Sequence, residues 1–101
     1  MTTYNGWTNY ATWRVNLEMF DGCSPEDITG SRTRPTPDFL AAILRESADE
    51  TLEAQCAGRN GAESLVFSYA KAFLDDVNWE EIARDMIEAH ADQYETEGEH
   101  A

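Results

Sequence analysis

The sequence predicts an all-α protein, a compact bundle of about four helices with short connections. In four segments apolar residues recur at steps of three and four residues, the period of an amphipathic helix. No stretch alternates between polar and apolar residues over more than a few positions, so strands are not expected. The chain of 101 residues, 42% of them apolar, suits one domain with its own core. We therefore expect a single helical domain over residues 1–101, with 95–101 as a frayed tail.

The first predicted helix runs from about Tyr10 to Asp21. Asn9 precedes it as a candidate cap, and Gly22 ends it. Its expected inward face, read at helical spacing, holds Tyr10, Trp13, Leu17 and Phe20.

A short helical start is predicted next, at Ser24-Pro25-Glu26-Asp27. Serine is placed as the cap, proline takes the first helical position, and Asp27 lies three residues after the cap, which is the pattern of a capping box. We expect this helix to stop early, because the loop-forming stretch ITGSRTRPTP follows.

The longest predicted helix opens at Thr36-Pro37-Asp38, again with a cap followed by proline, and runs to about Ala57. Its expected inward residues are Leu40, Ile43, Leu44, Ser47 and Leu52. Its outer side carries four acidic residues, here called the middle stripe: Glu46, Asp49, Glu50 and Glu53.

A tight turn is predicted at Gly58-Arg59-Asn60-Gly61, leading into a third long helix. Its apolar residues recur at helical steps: Leu65, Val66, Tyr69, Ala70, Phe73, Leu74 and Val77. Because this apolar face is wide, we expect this helix to be the central one.

The last predicted helix is capped by Asn78, with Glu81 as the reciprocal partner of a capping box. Its apolar side holds Trp79, Ile82, Ala83, Met86, Ile87, His90 and Tyr94. Its other side holds five carboxylates, here called the terminal rail: Glu81, Asp85, Glu88, Asp92 and Glu95. Like charges four residues apart on a helix repel by about 0.2–0.5 kcal/mol per pair. The rail is therefore interpreted either as a solvated outer face or as a binding surface for a basic partner.

The charge of the chain restricts its partners. Twenty acidic residues against seven basic ones leave a net charge of −13, and ten of the carboxylates fall in residues 75–101. Such a field repels nucleic acid and anionic membranes and favours basic protein surfaces. The first ten residues lack the basic and apolar regions of an export signal, and no apolar run is long enough to span a membrane. We expect a cytoplasmic protein with no direct nucleic-acid or membrane partner.

Residues for catalysis or cofactor binding are scarce. Only His90 and His100 are available as bases, and Cys23 and Cys56 lack metal-site spacing and are most simply small buried residues. The GRNG turn lacks the lysine and hydroxyl of a phosphate-binding loop. Glu-x-x-His pairs on two helices, as in di-iron bundles, are not found, nor is a calcium-binding loop. We expect no enzyme activity, no metal and no cofactor.

The aromatic N-terminus has two interpretations. In the structural one, Trp7 folds back on the first helix while Asn9 caps it. In the functional one, Trp7, Tyr10 and Trp13 form an exposed aromatic site for a protein partner.

Two stretches carry a resemblance to a known group of proteins. Residues 4–17, YNGWTNYATWRVNL, and residues 77–83, VNWEEIA, resemble the opening and closing features of a family of small bacteriophage and mobile-element proteins that tend to begin N-x-x-N-Y-x-T-W. The resemblance implies a mobile-element origin and a helical fold, and it supplies no function.

Two functions remain open from the sequence. By analogy with other small acidic proteins of mobile elements, the first is an anti-CRISPR or anti-restriction inhibitor, a DNA mimic that binds a basic nucleic-acid site of a host defence complex. The terminal rail would bind, widened by the middle stripe if the two helices are neighbours. The alternative is a small helical adaptor or regulator that binds a host or phage protein through Trp7, Tyr10 and Trp13. A homodimer through an aromatic patch is also compatible with the sequence.

Overall fold

The structure, a computed structural model, describes residues 4–56 and 65–92, and within these ranges the predicted all-α bundle is confirmed. Its helices are α1 (Tyr10–Val15), continued by a π-helical segment (Asn16–Phe20), then α2 (Pro25–Thr29), α3 (Pro37–Cys56), α4 (Leu65–Asp75) and α5 (Trp79–Ala89). The described ranges contain no strand, and Tyr4 and Trp7 pair in an isolated bridge across a turn. The predicted turn at 58–61, Glu95 and the predicted frayed tail lie outside the described residues.

The first helix is capped as predicted, but its inward face was predicted wrongly. Asn9 accepts the backbone N–H of Thr12. The buried residues of α1 are Ala11, Thr12 and Val15, whereas Tyr10 and Leu17 are exposed. The core thus lies against the opposite side of α1 from the aromatic face that helical spacing indicates.

The π-helical segment explains why Phe20 is nevertheless buried. An i→i+5 turn inserts about one extra residue into the helix and turns everything after it by about 100° relative to an α-helix. Phe20 would lie on the Tyr10 and Leu17 side of a continuous α-helix. After the π-helical segment it joins Val15 in the core.

The short helix α2 forms as predicted. Ser24 accepts the N–H of Asp27 at 3.2 Å, and the Asp27 carboxylate accepts the N–H of Ser24 at 2.9 Å. The helix ends at Gly30, whose φ of +76° is in the left-handed region that favours glycine.

This capping box should make stability depend on pH in the acidic range. The pKa of Asp27 lies below its ordinary value, chiefly because the carboxylate accepts the Ser24 backbone N–H. Folding therefore stabilises the charged form, so this contribution is present above the unfolded pKa and is lost as the pH falls through the lower, folded pKa. Urea unfolding should show that the stability deficit of Asp27→Ala shrinks as the pH is lowered through that range. A deficit that stays constant with pH would contradict this account.

The central helix is α3, and the prediction that residues 65–77 form the central helix is wrong. Leu40 and Leu44 of α3 are fully buried, and α3 packs against α2, α4 and α5. In contrast, Leu65, Val66 and Tyr69 of α4 are 66%, 71% and 69% exposed. The wide apolar face of α4 is therefore only partly covered.

Two ion pairs fasten α4 to α3. Arg45 pairs with Asp75, and the Lys71 ammonium lies 3.1 Å from the Asp49 carboxylate. As the residue number rises along α3 it falls along α4, so the two helices are antiparallel neighbours.

The core joins all of the longer helices into one cluster of buried apolar residues. Its members are Ala11, Val15, Phe20, Leu40, Leu44, Ala48, Leu74, Val77, Trp79, Ile82, Ala83, Met86 and Ile87. Cys23 is a free, half-buried thiol packed against this cluster, while the side chain of Cys56 lies outside the described part of the chain. None of the helices in the described ranges is both long enough and apolar enough to cross a membrane.

Candidate functional site

Of the terminal rail, Glu81, Asp85 and Glu88 lie on the outer face of α5, as the helical period predicts, and Asp92 follows three residues after the last residue of that helix. Ile82 and Met86 bury the opposite side of the helix in the core. Asp85, Glu88 and Asp92 are exposed, whereas Glu81 is half-buried. The exposed part of the rail is therefore shorter than the predicted one at its N-terminal end.

The basic residue of α5 forms its ion pair with a carboxylate outside the rail. Arg84 lies 2.6 Å from the carboxylate of Glu80, one turn earlier on the same helix. Glu80 is not part of the rail. The guanidinium thus forms its ion pair beside the rail, on the flank of α5.

The middle stripe is also shorter than predicted. Glu46, Glu50 and Glu53 are exposed on α3, but Asp49 is half-buried and paired with Lys71. The helices α3 and α5 are neighbours. Each acidic row lies on the side of its helix that is turned away from the shared core, so this packing does not by itself merge the rail with the stripe.

The carboxylate of Glu81 forms a hydrogen bond to a distant part of the same chain. Its Oε1 accepts the backbone N–H of Thr8 at 2.9 Å, across a separation of 73 residues. Asn78 does cap α5 by accepting the N–H of Glu81 at 3.1 Å. The predicted reciprocal bond is absent among these described residues, because the N–H of Asn78 is donated to the Thr12 hydroxyl instead, at 2.8 Å.

Further hydrogen bonds complete this contact, which we call the N-terminal clamp (residues 8, 9 and 12 against 76, 78 and 81). The Asn9 amide donates to the carbonyl of Asp76 at 2.8 Å, and the Asn78 amide donates to the Thr8 hydroxyl at 3.2 Å. The Thr12 hydroxyl, fully buried, donates in turn to Asn9 Oδ1 at 2.7 Å. Each of the two segments thus caps its own helix and supplies hydrogen-bond partners to the other.

The clamp joins the two stretches on which the family resemblance depends. Asn9 and Thr12 belong to NYATW, and Asn78 and Glu81 belong to VNWEEIA. Their residue types are accounted for by helix capping and by satisfying buried backbone groups. Sequence spacing could not reveal this, because no local pattern shows that two segments about 70 residues apart are in contact.

The aromatic residues near the N-terminus pack mainly against one another and against the rest of the molecule. Trp7 and Trp13 are half-buried, and Trp7 packs against the core. Tyr4 lies edge-on to Tyr10 at 5.1 Å between ring centroids and 4.9 Å from Trp13, and Tyr10 meets Phe73 of α4 at 6.3 Å. Of the three residues of the predicted aromatic site, Trp7, Tyr10 and Trp13, Tyr10 is the exposed one.

Sequence reasoning missed a groove between α1, α3 and α4. It has a volume of about 360 Å³, and its lining is mostly apolar: Val15, Met19, Ala48, Leu52, Ala70, Phe73 and Leu74, with Arg14, Glu18, Thr51 and Gln55 at its polar positions. Arg14 and Glu18 form an ion pair at 2.6 Å, which raises the pKa of the guanidinium and lowers that of the carboxyl. The wide apolar face of α4 was the sequence feature that could have indicated this groove, but it was interpreted as a sign that α4 is the central, buried helix.

A second, smaller pocket of about 220 Å³ brings together Cys23, His90 and Asp85. The Nδ1 of His90 lies 3.0 Å from the carbonyl oxygen of Met86. This ring nitrogen therefore already has a hydrogen-bond partner in the backbone four residues earlier. Across the described ranges, no group of three or more His, Cys, Asp and Glu side chains is arranged to hold a metal ion.

Comparisons of the chain with protein-family models, with characterised proteins and with solved structures found no match. The resemblance to mobile-element proteins therefore stays a prediction.

Proposed function

We propose that the chain is a non-enzymatic inhibitor from a bacteriophage or other mobile element, which blocks a basic nucleic-acid site of a host restriction or CRISPR complex. The binding surface is the exposed part of the terminal rail. The observation that supports this most is that Asp85 and Glu88 are exposed side by side on α5 while Arg84 is paired with Glu80.

The spacing of the rail suits a basic groove. At a rise of about 1.5 Å per residue, Asp85 and Glu88 place their carboxylates about 4.5 Å apart along the axis of α5, and Asp92 follows three residues after the helix ends. Lysine and arginine side chains in such a groove normally contact the phosphates of a nucleic acid. The carboxylates of the rail offer these side chains a similar row of negative charges. The attraction is strengthened at long range by the net charge of −13.

Charge reversal tests the proposal against a matched control. The triple variant Asp85→Lys, Glu88→Lys, Asp92→Lys should weaken binding of the labelled chain to purified restriction or CRISPR complexes by about tenfold or more, equivalent to about 1.4 kcal/mol. The control is Glu46→Lys, Glu50→Lys, Glu53→Lys, which changes the net charge equally on α3. It should weaken binding much less, and wild-type binding should fall steeply as salt is raised.

Circular dichroism should first show that both triple variants keep their helices. Equal losses in the two variants would mean that only the net charge matters, which contradicts a specific role for α5. Unchanged binding in the rail variant would exclude the rail as the binding surface.

The adaptor alternative stays a prediction. Trp7 and Trp13 have intramolecular roles that explain their presence, and salt-resistant binding to a protein, lost on Tyr10→Ala, would favour it instead.

A further inference from the structure

The outer face of α4 is the most apolar exposed surface among the described helices. Leu65, Val66 and Tyr69 are about two-thirds exposed, and Phe73 and Tyr10 extend the same surface towards α1. Val66, Tyr69 and Phe73 follow each other at steps of three and four residues, so they form one continuous seam along the helix. We call these five residues the α4 outer face.

The area of this face is comparable to the apolar part of a standard-sized protein interface. The five residues are 37–71% exposed, and at about 150–250 Å² for a large aromatic side chain or somewhat less for leucine and valine, this amounts to on the order of 500 Å² of mostly apolar surface. A standard interface buries about 800 Å² per partner, and homodimer interfaces are about 65% apolar. The α4 outer face alone therefore supplies the apolar part of such an interface.

The charges beside this face are already paired within the chain. The described charged residues of α4 are Lys71 and Asp75, and both form ion pairs with α3. The exposed carboxylates of the rail and the stripe belong instead to α5, to the residues just after it, and to α3. Two copies, each strongly negative, can thus approach through α4 without placing unpaired carboxylates of that helix against each other.

We propose that the α4 outer face binds a second copy of this chain, giving a two-fold symmetric dimer with antiparallel α4 helices. A two-fold axis near Tyr69 places Leu65 and Val66 of one copy near Phe73 of the other, so apolar residues meet apolar residues throughout the seam. A basic partner would gain its charge attraction at the rail or the stripe, whereas an apolar seam with paired charges is complementary to itself.

The dimer is independent of the proposed inhibition, because the two use different helices. If it forms, the rails of both copies stay available, and a target with two basic sites could be bound twice. Failure of one proposal therefore leaves the other standing, and the two respond to salt in opposite directions.

Sedimentation velocity of the full chain over the micromolar to millimolar range tests this directly. We expect a species of twice the 11.4 kDa chain mass. Its dissociation constant should fall as salt is raised, because salt screens the repulsion between two copies of charge −13. Tyr69→Glu should raise the dissociation constant by at least about tenfold, since it places a carboxylate at the two-fold axis.

The neighbouring residue provides the matched control. Ser68 is exposed and lies about 100° around the helix from Tyr69, off the seam, so Ser68→Glu adds the same charge to the same helix and should raise the dissociation constant much less. Because Tyr69 and Ser68 are both exposed, both variants should keep the helical circular dichroism of the wild type. A wild type that stays monomeric at high salt and millimolar concentration would overturn the proposal. So would a dimer that Tyr69→Glu does not weaken.

Discussion

Replacing Leu44 by alanine should lower the free energy of unfolding by about 2–5 kcal/mol. Leu44 is fully buried at the centre of α3, the helix that packs against α2, α4 and α5. The substitution removes apolar contacts and leaves a cavity between elements that cannot all move to fill it. Urea unfolding followed by circular dichroism measures the change, and for a domain of this size such a loss is a large part of the total stability.

Val66→Ala is the matched comparison, because the sequence suggested that α4, not α3, is central. Val66 is 71% exposed, so its truncation should change the unfolding free energy by no more than about 0.5 kcal/mol. Both variants should be compared at a protein concentration where the chain is monomeric. A larger loss for Val66→Ala than for Leu44→Ala would mean that α4 is the buried helix.

Thr12→Val should lower the free energy of unfolding by about 1–3 kcal/mol, although threonine and valine have side chains of nearly the same shape. The Thr12 hydroxyl is fully buried, accepts the N–H of Asn78 and donates to Asn9. Valine leaves the Asn78 N–H without its acceptor at the start of α5, and it removes the link between the cap of α1 and the cap of α5. Urea unfolding should show the loss, and hydrogen exchange of the Asn78 amide should become faster.

Thr12→Ser distinguishes the contribution of the hydroxyl's hydrogen bonds from that of the packing of the methyl group. Serine keeps the hydroxyl and loses one methyl group, which is worth about 0.8 kcal/mol when buried. The Asn78 amide should then exchange as slowly as in the wild type, relative to global stability. Equally fast exchange in both variants would show that the methyl group, not the hydroxyl, holds the clamp together.

Local sequence patterns correctly predicted the features that depend on residues within one helical turn. The caps at Asn9, Ser24 and Asn78 form as expected, because each side chain needs only the backbone N–H three residues on. The outward position of Asp85 and Glu88 was also predictable, since it follows from the phase of Ile82 and Met86 on the same helix.

The candidate surfaces were predictable only in part, for the same reason. The period of a helix shows which residues share a face, but not whether another segment lies on that face. Thus Glu81 shares the rail's side of α5 and yet binds Thr8, and Asp49 shares the stripe's helix and yet pairs with Lys71.

The sequence by itself determined that this is a helical protein, where α1, α2, α3 and α5 begin, and that carboxylates such as Asp85 and Glu88 point outward. Only the tertiary structure decided that α3 is central, that the π-helical segment turns Phe20 inward, and that residues 8–12 and 76–81 are joined by the N-terminal clamp. The physical reason is the range of the interactions. Capping and periodicity act within a turn or two of helix, whereas burial depends on contacts between residues far apart in the chain.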